Sequence, residues 1–202
     1  MVRTTRAIAV IAAAAAVALG LAACGTPPWE QQGGSGGGGS SASPTPSRIV
    51  VIHNDLAAGS VKRTLQAGDI KLDVNYYSSL DIGKWYPAAD KPLSLNASAT
   101  LGTDQGQAVY LNKVTVSTTV QGPKGPLPSP AAQTDAASVQ PGYFVKAPYA
   151  YGPTFILPPV DPKATSITIS IVYELLLQTT PTSASYAKES ASDTLTIALA
   201  KP

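Results

Sequence analysis

The sequence predicts an all-β domain, an antiparallel β-sandwich of about seven to nine strands. Several segments alternate apolar and polar residues with a period of two, which indicates half-buried strands. Stretches rich in Gly, Pro, Ser and Thr separate these segments, as turns do between strands. No segment of the expected folded part has a strong helical period. A closed β-barrel is the alternative architecture.

The first strands are expected in the N-terminal half of the folded part. Residues 48–55 (RIVVIHND) form a nearly continuous apolar run that predicts the opening strand. Residues 69–77 (DIKLDVNYY) predict a strand whose inner face consists of Ile70, Leu72, Val74 and Tyr76. Residues 92–101 predict another, whose inner face consists of Leu93, Leu95, Ala97, Ala99 and Leu101.

A bulge is predicted in the next strand. Its inner face consists of Val114, Val116, Thr118 and Val120. Val109 and Leu111 lie just upstream and have the opposite parity. Because one extra residue in a strand shifts the parity in this way, Asn112-Lys113 is expected to form a β-bulge.

The two C-terminal strands carry the longest pattern. In residues 166–178 (SITISIVYELLLQ), the apolar odd positions are Ile167, Ile169, Ile171, Tyr173, Leu175 and Leu177. The fragment YELLLQ alone is compatible with a helix, but the β-branched prefix and the sustained period of two favour a strand. Residues 193–200 place Leu195, Ile197 and Leu199 inward. The sandwich is Ig-like in the broad sense and lacks an intersheet cysteine pair, because Cys24 is the only cysteine.

The N-terminal residues have the pattern of an export signal. Arg3 and Arg6 precede an apolar run, residues 7–23, that is shorter than the roughly 20 residues of a bilayer-spanning helix. The run ends in Leu21-Ala22-Ala23-Cys24, which resembles the lipobox of bacterial lipoproteins. The resemblance implies a diacylglyceryl group on Cys24 and cleavage before it, so that residues 1–23 are a signal peptide. The alternative is an ordinary secretory signal that leaves Cys24 as a free thiol.

Lipidation of Cys24 has consequences for location and stability. Two acyl chains give a stable anchor, whereas one gives marginal binding, so the protein is expected at the extracytoplasmic face of the cell membrane. The mature domain then has no cysteine for a disulfide. Residues 24–47 contain mostly Gly, Ser, Pro and Thr and predict a flexible tether that holds the domain about 25 Å from the membrane. The β-sandwich domain is expected over residues 48–202.

The charge balance argues against a nucleic-acid partner. The chain has 14 basic and 12 acidic residues, and removal of Arg3 and Arg6 with the signal leaves 12 of each. Nucleic-acid binding requires clustered Lys and Arg, which the sequence lacks. The expected partners are the membrane, through the lipid on Cys24, and an envelope protein or glycan.

Conventional catalysis lacks the residue types that it needs. His53 is the only histidine, and Cys24 is consumed by the lipid. Residues 33–37 match G-x-S-x-G but lie in the tether instead of between a strand and a helix. Ser185 and Lys188 match S-x-x-K without the partner motifs. The protein is therefore predicted to be non-enzymatic, and a serine hydrolase using Ser185 or His53 is the remaining enzymatic alternative.

No metal or other cofactor is predicted. Zinc, copper and haem sites favour several His, Cys or Met ligands, which are scarce here. Oxygen ligands for calcium are available from Asn54, Asp55, Asp69, Asp73 and Asp81, but no calcium-loop pattern connects them. These side chains are expected to be solvated turn residues.

An aromatic, proline-rich stretch is the most unusual part of the expected domain. Residues 141–159 (PGYFVKAPYAYGPTFILPP) hold both phenylalanines and three of the nine tyrosines. Rigid aromatic side chains are good contact residues. The predicted binding face for a protein or glycan therefore consists of Tyr143, Tyr149, Tyr151, Trp85 and Tyr86. The alternative is a long crossover that packs its aromatic side chains over one edge of the sandwich.

The segments from Leu72 through residues 173–183 and 192–199 also resemble uncharacterised lipoproteins of high-GC Gram-positive bacteria. This resemblance implies a location and no activity. The first functional hypothesis is a surface lipoprotein whose sandwich binds a protein or a cell-wall partner without catalysis. The second is a structural or accessory envelope module that has no ligand of its own.

Overall fold

A computed structural model describes residues 51–201, which form two antiparallel β-sheets around one core. The strands are β1 (Ser60–Ala67), β2 (Ile70–Tyr77), β3 (Lys91–Leu101), β4 (Val109–Gly122), β5 (Gly125–Leu127), β6 (Gln133–Ala136), β7 (Tyr143–Phe144), β8 (Thr154–Leu157), β9 (Ser166–Gln178) and β10 (Tyr186–Ala198). The antiparallel β-sandwich is confirmed. The described part has ten strands instead of seven to nine, because β5 to β8 are pieces of two to four residues, which are too short to show a sustained alternation.

The two sheets divide the long strands between them. The four-stranded sheet has the order β1-β2-β3-β8, and the six-stranded sheet has β10-β9-β4, with β5, β6 and β7 along the outer edge of β4. The alternative of a closed barrel is wrong, because these sheets are separate. The only helical segment described is the 3-10 turn Ile82–Lys84, and no helix within residues 51–201 has the length and apolar character needed to cross a membrane.

The core consists of the predicted inner faces. The alternation expected for β2, β3 and β9 is confirmed, and nearly all of their inner side chains are buried. Tyr173 donates a hydrogen bond to the hydroxyl oxygen of Tyr76 over 3.0 Å. Burial raises the pKa of both tyrosines, because it disfavours the phenolate. This pair joins the two sheets through the centre of the core.

The predicted bulge in β4 is also confirmed. The pairing of β4 with β9 shifts register between Leu111 and Lys113, so Asn112 is the extra residue. Val109 and Leu111 are buried before the bulge, as are Val114 and Val116 after it. The shift lets both halves of β4 direct their apolar side chains into the same core.

The predicted opening strand is wrong for its described part. Residues 51–54 form no strand, and the Asn54 side chain accepts a hydrogen bond from the Leu56 backbone over 3.0 Å, which turns the chain. The first strand is β1, which the sequence analysis missed. Its inner face consists of Val61, Arg63, Leu65 and Ala67. The charged Arg63 interrupts the apolar period of two that would have indicated a strand.

Arg63 joins the edge of one sheet to the edge of the other. Its guanidinium donates a hydrogen bond to Asp55 over 2.7 Å and lies 4.0 Å from Asp193 of β10. Asp55 also accepts from the Thr196 backbone over 2.7 Å. These contacts tie β1 and the residues before it to β10, so the described chain enters the sandwich beside the C-terminal end of β10.

Candidate functional site

The aromatic, proline-rich stretch crosses from the six-stranded sheet to the four-stranded sheet. Val145 donates a backbone hydrogen bond to Val109 of β4 over 3.0 Å, and its carbonyl accepts one from Ala99 of β3 over 2.7 Å. Gly142 is buried where a Cβ would lie only 2.7 Å from the Leu111 carbonyl oxygen, so only glycine allows this approach. The backbone of the stretch therefore closes one edge of the sandwich, as the packing interpretation expects.

Two of the predicted site residues belong to this closure. Tyr143 and Tyr151 stack with ring centres 4.0 Å apart and planes 17° from parallel, and both are half-buried. Burial raises the pKa of Tyr151, whereas hydrogen bonds with Ser138 lower the pKa of Tyr143. Tyr151 also exchanges backbone hydrogen bonds with Ala97 of β3. Both residues thus have a packing role at the edge.

A second group of aromatic rings remains on the surface. We call it the aromatic row, and it consists in spatial order of Tyr186, Tyr110, Phe144 and Tyr149. The successive ring centres are 5.8, 5.6 and 5.2 Å apart. Tyr149 is 61% exposed and Phe144 39%, whereas Tyr110 and Tyr186 are half-buried. Of the predicted face, only Tyr149 lies in this row.

Strand pairing explains how residues far apart in sequence form the row. Phe144 of β7 lies opposite Tyr110 of β4. Leu111 points into the core, so Tyr110 points out, and Tyr186 opens β10 on the same outer face of the six-stranded sheet. Edge-to-face contacts with interplanar angles of 84° and 61° hold Tyr110 between Tyr186 and Phe144.

The bulge produces a groove next to the row. We call this the bulge groove, and it has a volume of about 360 Å³. Its lining residues include Asn112, Val172, Glu174, Leu176, Lys188 and Ser190. Leu176 pairs with Tyr110 on one side and with Lys188 on the other, so the row and the groove adjoin. Lys113 and Glu174 form an ion pair across the bulge.

The prediction that Trp85 lies in an exposed face is wrong. Its side chain is fully buried, and its indole N–H donates to the Ser78 hydroxyl over 3.2 Å. Its carbonyl accepts a hydrogen bond from Ala200, beyond the C-terminal end of β10. Tyr86 is half-buried and lines an apolar groove with Pro87 and Pro162. Both residues therefore lie toward the end of the sandwich opposite Tyr186.

A larger hollow, of about 420 Å³, lies on the outer face of the four-stranded sheet. Its lining residues are Lys62, Arg63, Thr64, Asp73, Val74, Asn75, Asn96 and Ser98. These are mostly polar, and none is aromatic. We therefore take the aromatic row with the bulge groove as the candidate site, since rigid aromatic side chains contribute most to binding per residue.

The residues of the hydrolase alternative are not brought together. His53 is exposed and 3.2 Å from Asp55, which is bonded to Thr196 near the C-terminal end of β10. Ser185 precedes Tyr186 at the other end of β10, roughly 30 Å away. Lys188 lies in a strand, whereas the S-x-x-K mechanism requires the serine to begin a helix. The G-x-S-x-G match at residues 33–37 lies outside the described residues.

The candidate calcium ligands have local structural roles. Asp69 accepts a hydrogen bond from the Thr103 backbone, Asp73 from Thr64, and Asp81 from the Gly83 backbone. Asp55 bonds Arg63, and Asn54 turns the chain before β1. Within residues 51–201, no group of three or more His, Cys, Asp or Glu side chains has the geometry of a metal site.

Lys91 is a buried charged residue that the sequence analysis missed. It opens β3, is fully buried, and donates to the carbonyls of Tyr86, Pro87 and Ala89. Burial lowers its pKa from the ordinary 10.5, and the nearby Asp90 partly offsets this effect. Three carbonyl acceptors occupy the ammonium group, so Lys91 fixes the loop after Trp85 and offers no free nucleophile.

No model of a known protein family matches the chain, and a search of curated proteins finds no relative.

Proposed function

We propose that the protein is a surface lipoprotein whose β-sandwich binds a protein or cell-wall partner without catalysis. In this proposal, two acyl chains on Cys24 hold the chain at the extracytoplasmic face of the membrane, and residues 24–47 are the tether. Residues 1–50, including Leu21, Ala22, Ala23 and Cys24, lie outside the described residues. The observation that carries the proposal is the ordered and exposed aromatic row.

The position of the row within the domain supports this function. The described chain enters beside Thr196, whereas Tyr186 lies at the other end of β10. Ten residues of strand separate these positions by roughly 30 Å. The row therefore lies at the end of the domain away from the entry of the described chain, where a partner can reach it.

The order of the rings supports binding as well. Exposed aromatic side chains lose little entropy on binding when neighbouring rings already hold them. Phe144 contacts both Tyr110 and Tyr149, with ring centres 5.6 and 5.2 Å away. An exposed row that is fixed before binding is typical of a contact surface.

Binding of the full-length protein, purified in detergent, tests this proposal. One assay uses cell walls stripped of membrane, and a second uses detergent-solubilised membrane proteins. We expect the double substitution Phe144→Ala with Tyr149→Ala to weaken binding about tenfold or more in one of the assays, because it removes the exposed half of the row.

Tyr77→Ala is the matched control. Tyr77 is 39% exposed, as Phe144 is, but it lies on the outer face of the four-stranded sheet. It is expected to leave binding unchanged. Binding of the wild-type strength by a double variant that keeps its β-sheet circular dichroism would contradict the proposed role of the row. Absence of binding by the wild-type protein itself in both assays would favour a module with no ligand of its own.

A further inference from the structure

The bulge groove and the aromatic row together form one surface with a definite chemistry. We propose that this surface binds an extended glycan chain of N-acetylated sugars, with sugar rings against the aromatic row and acetamido groups in the bulge groove. This inference rests on the proposed function and names the ligand class. Four observations carry it.

The first observation is the exposure and tilt of the rings in the row. Neighbouring rings are inclined to one another by 58° to 84°, so they offer separate contact faces instead of one flat platform. The apolar faces of pyranose rings pack on aromatic faces, and Tyr149 and Phe144 have the most exposed rings of the row. A sugar ring can thus pack on Tyr149 or on Phe144.

The second observation is the mixed floor of the groove. Val172 is 40% exposed and Leu176 is half-buried, so an apolar surface lies beside Tyr110 of the row. Asn112 and Ser190 line the same groove with an amide and a hydroxyl. An acetamido group has a methyl for the apolar floor and an amide for these polar side chains.

The third observation is the charge of the groove. The two charges at the bulge, Lys113 and Glu174, neutralise each other. The other two charged residues of the lining, Lys188 and Glu189, are also opposite in sign, and the exposed Lys188 can donate hydrogen bonds. A surface with paired charges complements a neutral, hydroxyl-bearing chain better than a phosphate polymer, which requires clustered cations.

The fourth observation is the hydroxyl-rich sheet face beside the groove. Ser and Thr side chains fill much of the outer face of the long strands, among them Thr115, Ser117, Thr168, Ser170, Ser192 and Thr194. Strand register places Ser117, Ser170 and Thr194 in one row across the sheet. Hydroxyl groups that donate and accept match the hydroxyls of a sugar chain.

Calorimetric titration of the full-length protein in detergent with the hexamer of N-acetylglucosamine tests the inference. We expect saturable binding that weakens about tenfold or more with Phe144→Ala or Tyr149→Ala, because each removes a stacking surface. Val172→Ser removes the apolar floor of the groove at an exposed position. It is expected to lower the affinity for the hexamer of N-acetylglucosamine and to leave the affinity for the hexamer of glucose unchanged. Tyr77→Ala is expected to bind as the wild type does.

The outcomes separate this inference from the proposed function. Equal affinity for the glucose hexamer would overturn the assignment of the groove to acetamido groups. If the protein binds no sugar but still binds cell walls or membrane proteins through Phe144 and Tyr149, the glycan inference is wrong and the proposed binding function stands. If the Phe144 and Tyr149 variants bind both the sugar and the cell-envelope material as the wild type does, the glycan inference and the proposed function are both wrong.

Discussion

Replacing Trp85 with alanine is expected to lower the free energy of unfolding by about 3–5 kcal/mol. The indole is fully buried in the core, and its N–H donates to Ser78 over 3.2 Å. Truncation removes its apolar contacts, leaves a cavity and deprives Ser78 of a partner. Because domains of this size are stable by only about 5–15 kcal/mol, the loss is a large share of the total. Urea unfolding followed by circular dichroism measures it.

The other tryptophan supplies the matched control. Trp29 lies in the expected tether, and Trp29→Ala is expected to leave the unfolding midpoint unchanged. Trp85→Phe, which keeps an aromatic ring in the site, is expected to cost less than Trp85→Ala. An unchanged unfolding curve for Trp85→Ala, together with weaker binding to the envelope, would show that Trp85 belongs to the exposed face after all.

Replacing Cys24 with alanine is expected to abolish acylation completely. In the proposed function, the thiol of Cys24 is the attachment point for the diacylglyceryl group, and alanine has no nucleophile for it. The intact mass of the wild-type protein is expected to correspond to residues 24–202 plus lipid, and the variant to retain residues 1–23. In that proposal two acyl chains hold the wild type at the membrane, since single chains hold proteins only marginally.

Ser41→Ala, a change of hydroxyl within the tether, is the control and is expected to leave both lipid and cleavage unchanged. A wild-type mass equal to an unmodified mature chain would contradict lipidation. It would favour the ordinary secretory signal, with Cys24 as a free thiol.

Much of the fold is predictable because a half-buried strand alternates apolar and polar residues along its sequence. The inner sets of β2, β3 and β9 follow from the period of two, and the parity change between Leu111 and Val114 predicts the bulge at Asn112. The strand β1 escaped prediction because Arg63 occupies an inner position. Its charge is compensated by Asp55, from a different part of the chain.

The candidate site is less predictable, because strand pairing creates it. The rings of Tyr110, Phe144 and Tyr186 meet only when β7 and β9 pair with β4 and β10 with β9. Local sequence marked the proline-rich stretch, and Tyr149 alone of its predicted residues lies in the row. Trp85 was placed with this stretch by composition, yet its size and apolar character are equally typical of a core residue. An outward aromatic residue next to the bulge, Tyr110, was the signal for the remainder of the row.

Hydroxyl-radical footprinting on intact cells tests the central claim, that the aromatic row is a contact surface, most directly. Mass spectrometry compares the oxidation of individual side chains in the cell with that of the purified protein. We predict strong protection of Phe144 and Tyr149 in the cell, with Tyr77 oxidised equally in both states. Equal oxidation of Phe144 and Tyr149 in the cell and in isolation would contradict the claim, because a surface that contacts a partner is shielded from the radical.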